Sequence, residues 1–346
     1  MRLLQLLSIM SIGALTFAGV VLRPGVVRGD IFVANIDTNS IGQYTNSGAT
    51  INASLITGLN HPGGIAVSGG DLFVTNYLGG TISEYTTAGV PVNTHLLSGL
   101  ANPSGVAVSG SSLFVTNYEG RTISEFTLGA TPGTIAASNP NFISESQYPY
   151  GIAVSGSNLF VANYDGGTIG EYTTSGAVVN AALVSGLYSP QDLTVSGTNI
   201  FVTSFNITGW IGQYTTSGAT VNPALVMGMG LSYPTGIAVS GGNLFVANEN
   251  FGTVSEYTTS GAVVNTALIS GLHSPVGLAV TDVPEPGSLC LLLLGGGAMV
   301  ACRRRGTGTS NAGKGTPEYS RQIGSRVESG STRRRKGVKD GKGRHV

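Results

Sequence analysis

The sequence predicts an all-β fold, a six-bladed β-propeller made of four-stranded antiparallel blades. Near-copies of one segment follow each other at offsets of 41, 41, 46, 41 and 44 residues, a period typical of propellers and solenoids. Glycine provides 53 of the 346 residues and charged residues only 10%, as expected of a turn-rich β protein. The copies begin near residues 31, 72, 113, 159, 200 and 244.

Each copy contains four short β-like runs, which is the number of strands in one propeller blade. In the copy that begins at Leu159, these runs are residues 159–163, 168–172, 182–185 and 193–195. Glycine-containing turns separate them, because glycine adopts the positive φ that tight hairpins require. The Leu-Phe-Val-Ala and Ile-Ala-Val runs are apolar at every position, which indicates strands buried on both faces, as between stacked blades.

The order of the runs also predicts how the ring closes. The Leu-Phe-Val-Ala-Asn type and the Pro-x-Gly-Ile-Ala-Val type each occur six times, but the first copy begins with the former. The last run of the Pro type, residues 275–280, therefore has no following partner of its own. We expect it to pair with residues 31–35, so that strands from both ends share one blade and no edge is left exposed.

Residues 149–164, Pro-Tyr-Gly-Ile-Ala-Val-Ser-Gly-Ser-Asn-Leu-Phe-Val-Ala-Asn-Tyr, resemble NHL-type six-bladed propeller repeats. The resemblance implies a propeller domain over residues 30–282 and covers about 250 residues of the chain. The wider superfamily includes binding scaffolds, lactonases similar to gluconolactonase, and streptogramin lyases. The resemblance therefore implies the fold without selecting an activity.

The N-terminal residues have the form of a secretory signal. Met1 and Arg2 precede an apolar run over residues 3–22, so residues 1–29 are predicted to be a signal peptide that directs export. An uncleaved membrane anchor is the alternative, because the apolar run approaches the length of a membrane span.

A second targeting signal follows the propeller, at residues 283–305. A Pro-Glu-Pro triplet precedes the apolar residues 289–301 and a cluster of three arginines. This order resembles the PEP-CTERM sorting signal of bacterial envelope proteins. The resemblance implies recognition by an exosortase-type enzyme, a short transmembrane segment over residues 288–302 before processing, and a cytoplasmic arginine cluster. The residues of the signal are Pro284, Glu285, Pro286, Arg303, Arg304 and Arg305.

Charge is segregated along the chain. Residues 31–282 contain one arginine and twelve acidic residues, a net charge of −11, whereas residues 303–346 contain thirteen basic and three acidic residues, a net charge of +10. An acidic propeller repels phosphate backbones, so nucleic acid is not an expected partner, and cations or neutral glycans suit it better. The basic tail, residues 306–346, has almost no large apolar side chains and is predicted to be disordered.

The loops that lead into the Pro-type runs are the expected place for a ligand, because such loops gather at the axis of a propeller. They carry His61 and His273, in neighbouring blades. The fifth copy departs most from the repeat: Asp192 stands where glycine is usual, Thr194 replaces alanine, and Ser204 replaces asparagine. These oxygens would suit a hard cation such as Ca²⁺ or a hydroxyl-bearing ligand, although simple drift of the repeat is the alternative.

The remaining copies end the Leu-Phe-Val-Ala-Asn type of run with asparagine, which we interpret as a structural hydrogen bond at a turn. These residues are Asn35, Asn76, Asn117, Asn163 and Asn248.

No recognised catalytic motif or metal-ligand spacing occurs in the chain, and the only cofactor the sequence suggests is the Ca²⁺ named above. The sequence favours an exported, non-catalytic propeller at the cell envelope or extracellular matrix that binds a glycan or a surface protein. One alternative is a cation-dependent hydrolase or lyase that resembles the gluconolactonase-like or streptogramin-lyase-like propellers. A purely structural surface component is the other alternative.

Overall fold

The computed structural model describes residues 29–144 and 147–281, which form 24 strands in six four-stranded antiparallel sheets. The predicted six-bladed, all-β propeller is confirmed. The predicted signal peptide, sorting segment and basic tail lie outside the described residues. Within the described part of the chain, no helix is long and apolar enough to span a membrane.

The blades are numbered here in chain order, and each sheet begins with its innermost strand. Blade 1 consists of β24 (Pro275–Val280), β1 (Asp30–Asn35), β2 (Ser40–Thr45) and β3 (Thr50–Ile56). Blade 2 consists of β4 (Pro62–Ser68), β5 (Asp71–Asn76), β6 (Thr81–Thr86) and β7 (Pro91–Ser98). Blade 3 consists of β8 (Pro103–Ser109), β9 (Ser112–Asn117), β10 (Thr122–Leu128) and β11 (Ile135–Ser144).

The remaining blades follow the same order. Blade 4 consists of β12 (Pro149–Ser155), β13 (Asn158–Asn163), β14 (Thr168–Thr173) and β15 (Val178–Ser185). Blade 5 consists of β16 (Pro190–Ser196), β17 (Asn199–Ser204), β18 (Trp210–Thr215) and β19 (Thr220–Met227). Blade 6 consists of β20 (Pro234–Ser240), β21 (Asn243–Asn248), β22 (Thr253–Thr258) and β23 (Val263–Ser270).

Strands from the two ends of the propeller close the ring, as predicted. β24 pairs antiparallel with β1, with Val280 opposite Ile31. Thr281 donates its backbone N–H to the carbonyl of Asp30 at 2.9 Å and accepts the Asp30 N–H at its hydroxyl at 2.6 Å. Because β24 supplies the inner strand of the blade that begins with β1, blade 1 is complete only when both ends of the propeller are in place.

The outer strands are longer than the apolar runs predicted. β15 spans Val178–Ser185, because its pairing with β14 continues through a register shift, where Asn180 lies opposite Glu171 and Val178 opposite Tyr172. The polar asparagine interrupts the apolar run in the sequence without ending the strand. A bulge of this kind also twists an exposed edge away from regular pairing.

The apolar core lies between the blades. In blade 4, Phe160 packs into the cluster shared with blade 5, whereas Leu159 and Val161 pack into the cluster shared with blade 3. All three side chains are at most 1% exposed. The runs without polar alternation are therefore strands buried on both faces, as their sequence predicts.

The inner strands approach one another so closely around the axis that five of them need glycine at their third position. A Cβ atom on Gly277 would lie 1.9 Å from the carbonyl oxygen of Gly63 in the next blade. A Cβ atom on Gly236 would lie 2.4 Å from the carbonyl oxygen of Val276. The five glycines are Gly64, Gly105, Gly151, Gly236 and Gly277, and Asp192 holds the sixth position.

The Gly277→Ala substitution tests this packing. We expect it to lower the free energy of unfolding by at least about 1–3 kcal/mol, because the added methyl group overpacks two inner strands. The matched control is Gly70→Ala, since a Cβ atom there meets no atom within 4 Å, and its effect should stay within about 0.5 kcal/mol. Denaturant unfolding of both variants provides the comparison, and equal stability would contradict the predicted crowding.

Candidate functional site

The loops that lead into the inner strands have an unusual backbone at one position. In five blades the residue before the inner-strand proline adopts positive φ without being glycine, a conformation that side chains disfavour. The angle ranges from 42° to 57°. These residues are His61, Asn102, Ser189, Tyr233 and Ser274.

This backbone turn positions one side chain from every blade around the axial mouth. The carbonyl of the residue before the inner proline accepts a hydrogen bond from the N–H of the residue that follows the second strand, at 2.9–3.2 Å in all six blades. Tyr77, for example, donates its N–H to the His61 carbonyl at 3.0 Å. We call the six donor residues the crown: Ile36, Tyr77, Tyr118, Tyr164, Phe205 and Glu249.

The crown is aromatic in four consecutive blades. Its ring centroids are 6.3 Å apart between Tyr77 and Tyr118, 6.4 Å between Tyr118 and Tyr164, and 6.3 Å between Tyr164 and Phe205. His61 and Tyr233 extend this arc at its two ends, with centroid distances of 5.7 Å to Tyr77 and 4.9 Å to Phe205. The arc is therefore continuous over half or more of the mouth.

The crown surrounds a cavity of about 470 Å³, which we call the axial bowl. Its floor is formed by the second residues of three inner strands, Tyr150, Gln191 and Val276. The Tyr150 ring lies against the arc, 5.8 Å from Tyr118 and 6.2 Å from Tyr164. A cavity of this size suits a small organic ligand or part of a polymer.

The electrostatics of the axial bowl are acidic. Burial and the nearby carboxylate of Asp165 raise the pKa of Tyr118 to about 12, and burial raises the pKa of Tyr150, so both phenols are neutral at ordinary pH. Burial and the neighbouring Asp37 raise the pKa of Glu249 above its usual range. Among the described residues Arg121 is the only lysine or arginine, and its guanidinium lies 4.3 Å over the Tyr148 ring.

One polar atom in the floor is left without a partner. Gln191 is 5% exposed, and its side-chain oxygen Oε1 accepts no hydrogen bond. Its side chain hydrogen-bonds to Tyr150, which leaves the oxygen as the unused end of the amide. Because a buried acceptor without a partner costs roughly 1–3 kcal/mol, this oxygen is a candidate contact for a ligand.

A smaller axial cavity of about 200 Å³ lies among the inner strands, and Asp192 and Thr194 line it. The Asp192 carboxylate accepts the backbone N–H of Leu193 at 2.9 Å through Oδ1 and that of Ile237 at 3.1 Å through Oδ2. Burial nevertheless raises the pKa of Asp192 to about 7, because the two N–H groups only partly offset the loss of water. Asp192 thus bridges two inner strands where the other blades use glycine.

The structure brings some of the predicted site residues together and separates others. Asp192 and Thr194 share the axial cavity, but Ser204 is fully buried and donates its hydroxyl to the Tyr188 carbonyl at 2.5 Å. Ser204 therefore has a local structural bond and does not line that cavity. It is not brought into a common pocket with the other two.

The two predicted histidines occupy different kinds of position. His61 lines the axial bowl, next to Tyr77. His273 is exposed and donates its backbone N–H to Asn35 Oδ1 at 3.3 Å. The structural counterpart of His61 in blade 1 is Ser274, which has the positive φ, so the two histidines are offset by one residue.

A calcium site at Asp192 would require more oxygen ligands than its surroundings bring together. Ca²⁺ takes about six to eight oxygens, several of them usually carboxylate. Between residues 29 and 281, apart from the undescribed 145–146, no three His, Cys, Asp or Glu side chains are grouped as a metal site. Both Asp192 oxygens also already accept backbone N–H groups. The residues present do not fit this ion.

The recurring asparagines make structural hydrogen bonds. Asn76 accepts the Asn60 N–H at 3.1 Å and donates to the Ser83 hydroxyl at 2.9 Å, while only 4% exposed. In blade 5, where Ser204 replaces asparagine, Asn206 donates to the Ser204 hydroxyl at 2.9 Å instead. The turn in blade 5 therefore keeps a side-chain amide, supplied by Asn206 in place of the usual asparagine at position 204.

Sequence reasoning missed the aromatic crown. The available signal was the Asn-Tyr pair at residues 76–77, 117–118 and 163–164, followed by Ser-Phe at 204–205. A residue that recurs directly after a structural asparagine looks like part of the same turn. The sequence alone does not show that these rings point to one axis.

One segment, on the C-terminal side of the propeller, matches a known family. Residues 282–305 match the PEP-CTERM protein-sorting motif. The chain carries a PEP-CTERM sorting signal. The signal indicates export and sorting to the cell surface, with exosortase as the sorting partner and anchoring at the C-terminus before processing. No curated protein sequence matches the chain significantly.

Several solved propellers are similar to the described fold of this chain. The nidogen/laminin complex contains a chain with a TM-score of 0.62 and 17% identity, over 73% of this chain and 98% of that one. A putative 6-phosphogluconolactonase from Bacteroides fragilis has a TM-score of 0.55 and 13% identity, over 74% and 98%. An inactive virginiamycin B lyase from Staphylococcus aureus, with quinupristin, has a TM-score of 0.52 and 16% identity, over 75% and 94%. At these identities the likeness concerns the fold alone.

The raised pKa of Asp192 predicts a pH-dependent stability. The folded state holds a proton up to about pH 7, whereas the unfolded chain releases it near 3.8, so the Asp192 contribution to stability is lost as pH rises between these values. Relative to the Asp192→Asn variant, the wild-type free energy of unfolding should fall by roughly 2 kcal/mol from pH 5 to pH 8.

The two proteins share all other titrating groups, so the difference between their denaturant unfolding curves isolates Asp192. A difference that stays constant over this pH range would show that the carboxyl group is ionised throughout.

Proposed function

We propose that this protein is an exported, non-catalytic binding protein of the cell envelope or extracellular matrix, and that its axial bowl binds a glycan or a surface protein. The observation that carries the proposal is the continuous aromatic arc of the crown around a cavity of about 470 Å³. The PEP-CTERM motif at residues 282–305 supports a place at the cell surface.

The form of the crown supports binding. Tyr77, Tyr118 and Tyr164 are half-buried, so part of each ring stays accessible to a ligand. Rigid aromatic side chains provide large contact area at low entropic cost, and tyrosine adds a hydroxyl that donates or accepts hydrogen bonds. Such rings pack well against the C–H faces of sugars and against side chains of a protein partner.

The positive-φ residues support the same interpretation. A non-glycine residue in this conformation costs of order 1–3 kcal/mol, and the strain persists only where surrounding contacts enforce it. Here the carbonyls of His61 and its positive-φ counterparts accept the crown N–H groups in five blades, and the Tyr148 carbonyl does so in blade 4 without positive φ. These hydrogen bonds hold the crown in place before a ligand arrives, which lowers the cost of binding.

A second candidate function is a hydrolase or lyase, and one observation favours it. Asp192, with a pKa of about 7, lines the axial cavity and would exchange a proton near neutral pH. Its two oxygens already accept backbone N–H groups, and no second acidic or basic residue lines that cavity with it. The binding function therefore explains more of the axial site. The enzymatic candidate requires that Asp192→Asn abolish turnover.

The binding proposal predicts the effect of removing two crown rings. The double substitution Tyr118→Ala and Tyr164→Ala should weaken binding of the exported protein to isolated cell envelopes or matrix at least tenfold, roughly the loss expected for central aromatic contacts. Co-sedimentation with envelopes, read over a range of protein concentrations, gives the affinity.

The control is the double substitution Val179→Ala and Val264→Ala, because these side chains are 52% and 50% exposed on the outer strands of blades 4 and 6. It should leave binding unchanged. Equal loss of binding in both double variants, or in neither, would reject the axial bowl as the binding site.

A further inference from the structure

The axial bowl has two chemically different sides. Blades 2 to 5 contribute the aromatic arc, whereas blades 6 and 1 contribute Glu249 and Asp37. Glu249 is half-buried, and Asp37 lies close enough to raise its pKa. The cavity therefore offers π faces on one side and carboxylates on the other.

The acidic side has no counter-ion within the described chain. The Glu249 carboxylate has neither a hydrogen bond nor an ion pair with any described residue, and Asp37 only accepts the Ser274 hydroxyl at 2.7 Å. Arg121, the single arginine between residues 29 and 281, lies over Tyr148 and is hydrogen-bonded to its hydroxyl. A half-buried carboxylate without a partner is costly, and a cation from outside would remove that cost.

The floor of the axial bowl adds a second hydrogen-bond acceptor, on a different blade from the carboxylates. Gln191 is 5% exposed, and its Oε1 has no hydrogen-bond partner. Gln191 and Glu249 both line the axial bowl, and the Gln191 side chain also hydrogen-bonds to Tyr150. The Glu249 carboxylate and Gln191 Oε1 only accept hydrogen bonds, so a ligand that donates would satisfy both of them.

Aromatic rings and carboxylates together select an organic cation. An ammonium group is attracted to the face of a tyrosine or phenylalanine ring as well as to a carboxylate. A primary ammonium also carries three N–H donors, enough to reach Glu249, Gln191 and one further acceptor. A quaternary ammonium would leave Gln191 Oε1 without a donor.

Resting on the binding function proposed above, we propose that the axial bowl takes an amino-sugar chain, with a protonated amino group against Glu249 and Gln191. The sugar rings lie over the crown tyrosines. The length of the arc favours this carrier, because successive ring centroids at 6.3, 6.4 and 6.3 Å extend over a greater length than one lysine side chain. Neighbouring rings are tilted by 51°, 67° and 57°, so successive pyranose rings of a chain that follows the arc would meet differently oriented aromatic rings.

The experiment compares an oligomer of glucosamine with the equally long oligomer of N-acetylglucosamine, titrated calorimetrically into the exported protein near neutral pH. The two probes differ in one charge per sugar. We expect the glucosamine oligomer to bind about tenfold more tightly or better, as for a charge-assisted contact. Glu249→Gln should abolish this preference, so that the two oligomers bind with similar affinity.

The matched control is Asp71→Asn, which removes one negative charge at the first residue of β5, at the strand end away from the axial bowl. It should keep the preference for the glucosamine oligomer. If it abolished the preference as fully as Glu249→Gln does, the effect would be general charge attraction, and the assigned contact would be wrong.

The remaining outcomes separate this inference from the proposed function. Equal binding of both oligomers, lost in Tyr118→Ala, would overturn the ammonium contact while leaving the axial bowl as a glycan site. Glu249-dependent binding of a lysine-rich peptide, with no binding of either oligomer, would overturn the sugar carrier. Failure of every probe, with Tyr118-dependent binding to envelopes intact, would overturn the ligand class alone.

Discussion

Around the axis of the propeller, the backbones of neighbouring inner strands are in direct contact. A methyl group on Gly277 would lie 1.9 Å from the Gly63 carbonyl oxygen. This close approach fixes the distance between inner strands, and the stacked second strands then bury apolar side chains on both faces. It also brings the six loops that lead into those strands to one mouth. The site on this mouth depends on a ring that is completed only when β24 pairs with β1.

The six blades share one backbone arrangement at the crown, but the crown side chain differs between blades. This difference gives a symmetrical fold an asymmetrical site. The same hydrogen bond holds all six crown residues, so the backbone at each is nearly equivalent. Changing the side chain from tyrosine to Glu249 in blade 6 or Ile36 in blade 1 alters chemistry without disturbing the scaffold. Asp192 is the exception within the glycine ring, and it stays compatible by accepting an N–H from Ile237 of the next inner strand.

The sequence predicted the architecture well because the fold repeats its signals. Period, apolar runs and the surplus Pro-type run at residues 275–280 predicted the blades and their closure, and the buried bonds of Asn76 fit the structural role expected of it. The candidate site was predicted less well. A departure from the repeat drew attention to Ser204, which bonds to the Tyr188 carbonyl, and a loop position drew attention to His273, which does not line the axial bowl. The crown tyrosines were regular and therefore inconspicuous. Their convergence depends on the ring geometry, which no local pattern encodes.

The proposed function requires that the ligand bind at the axial mouth. Site-specific photo-cross-linking in living cells tests it most directly, with a benzophenone amino acid placed at position 118 in the crown or at position 179 on the outer edge of blade 4. Mass spectrometry of the recovered protein then reports adducts at each position. The account predicts an adduct at position 118 and none at position 179. An adduct at position 179 alone, or at neither position, would contradict it.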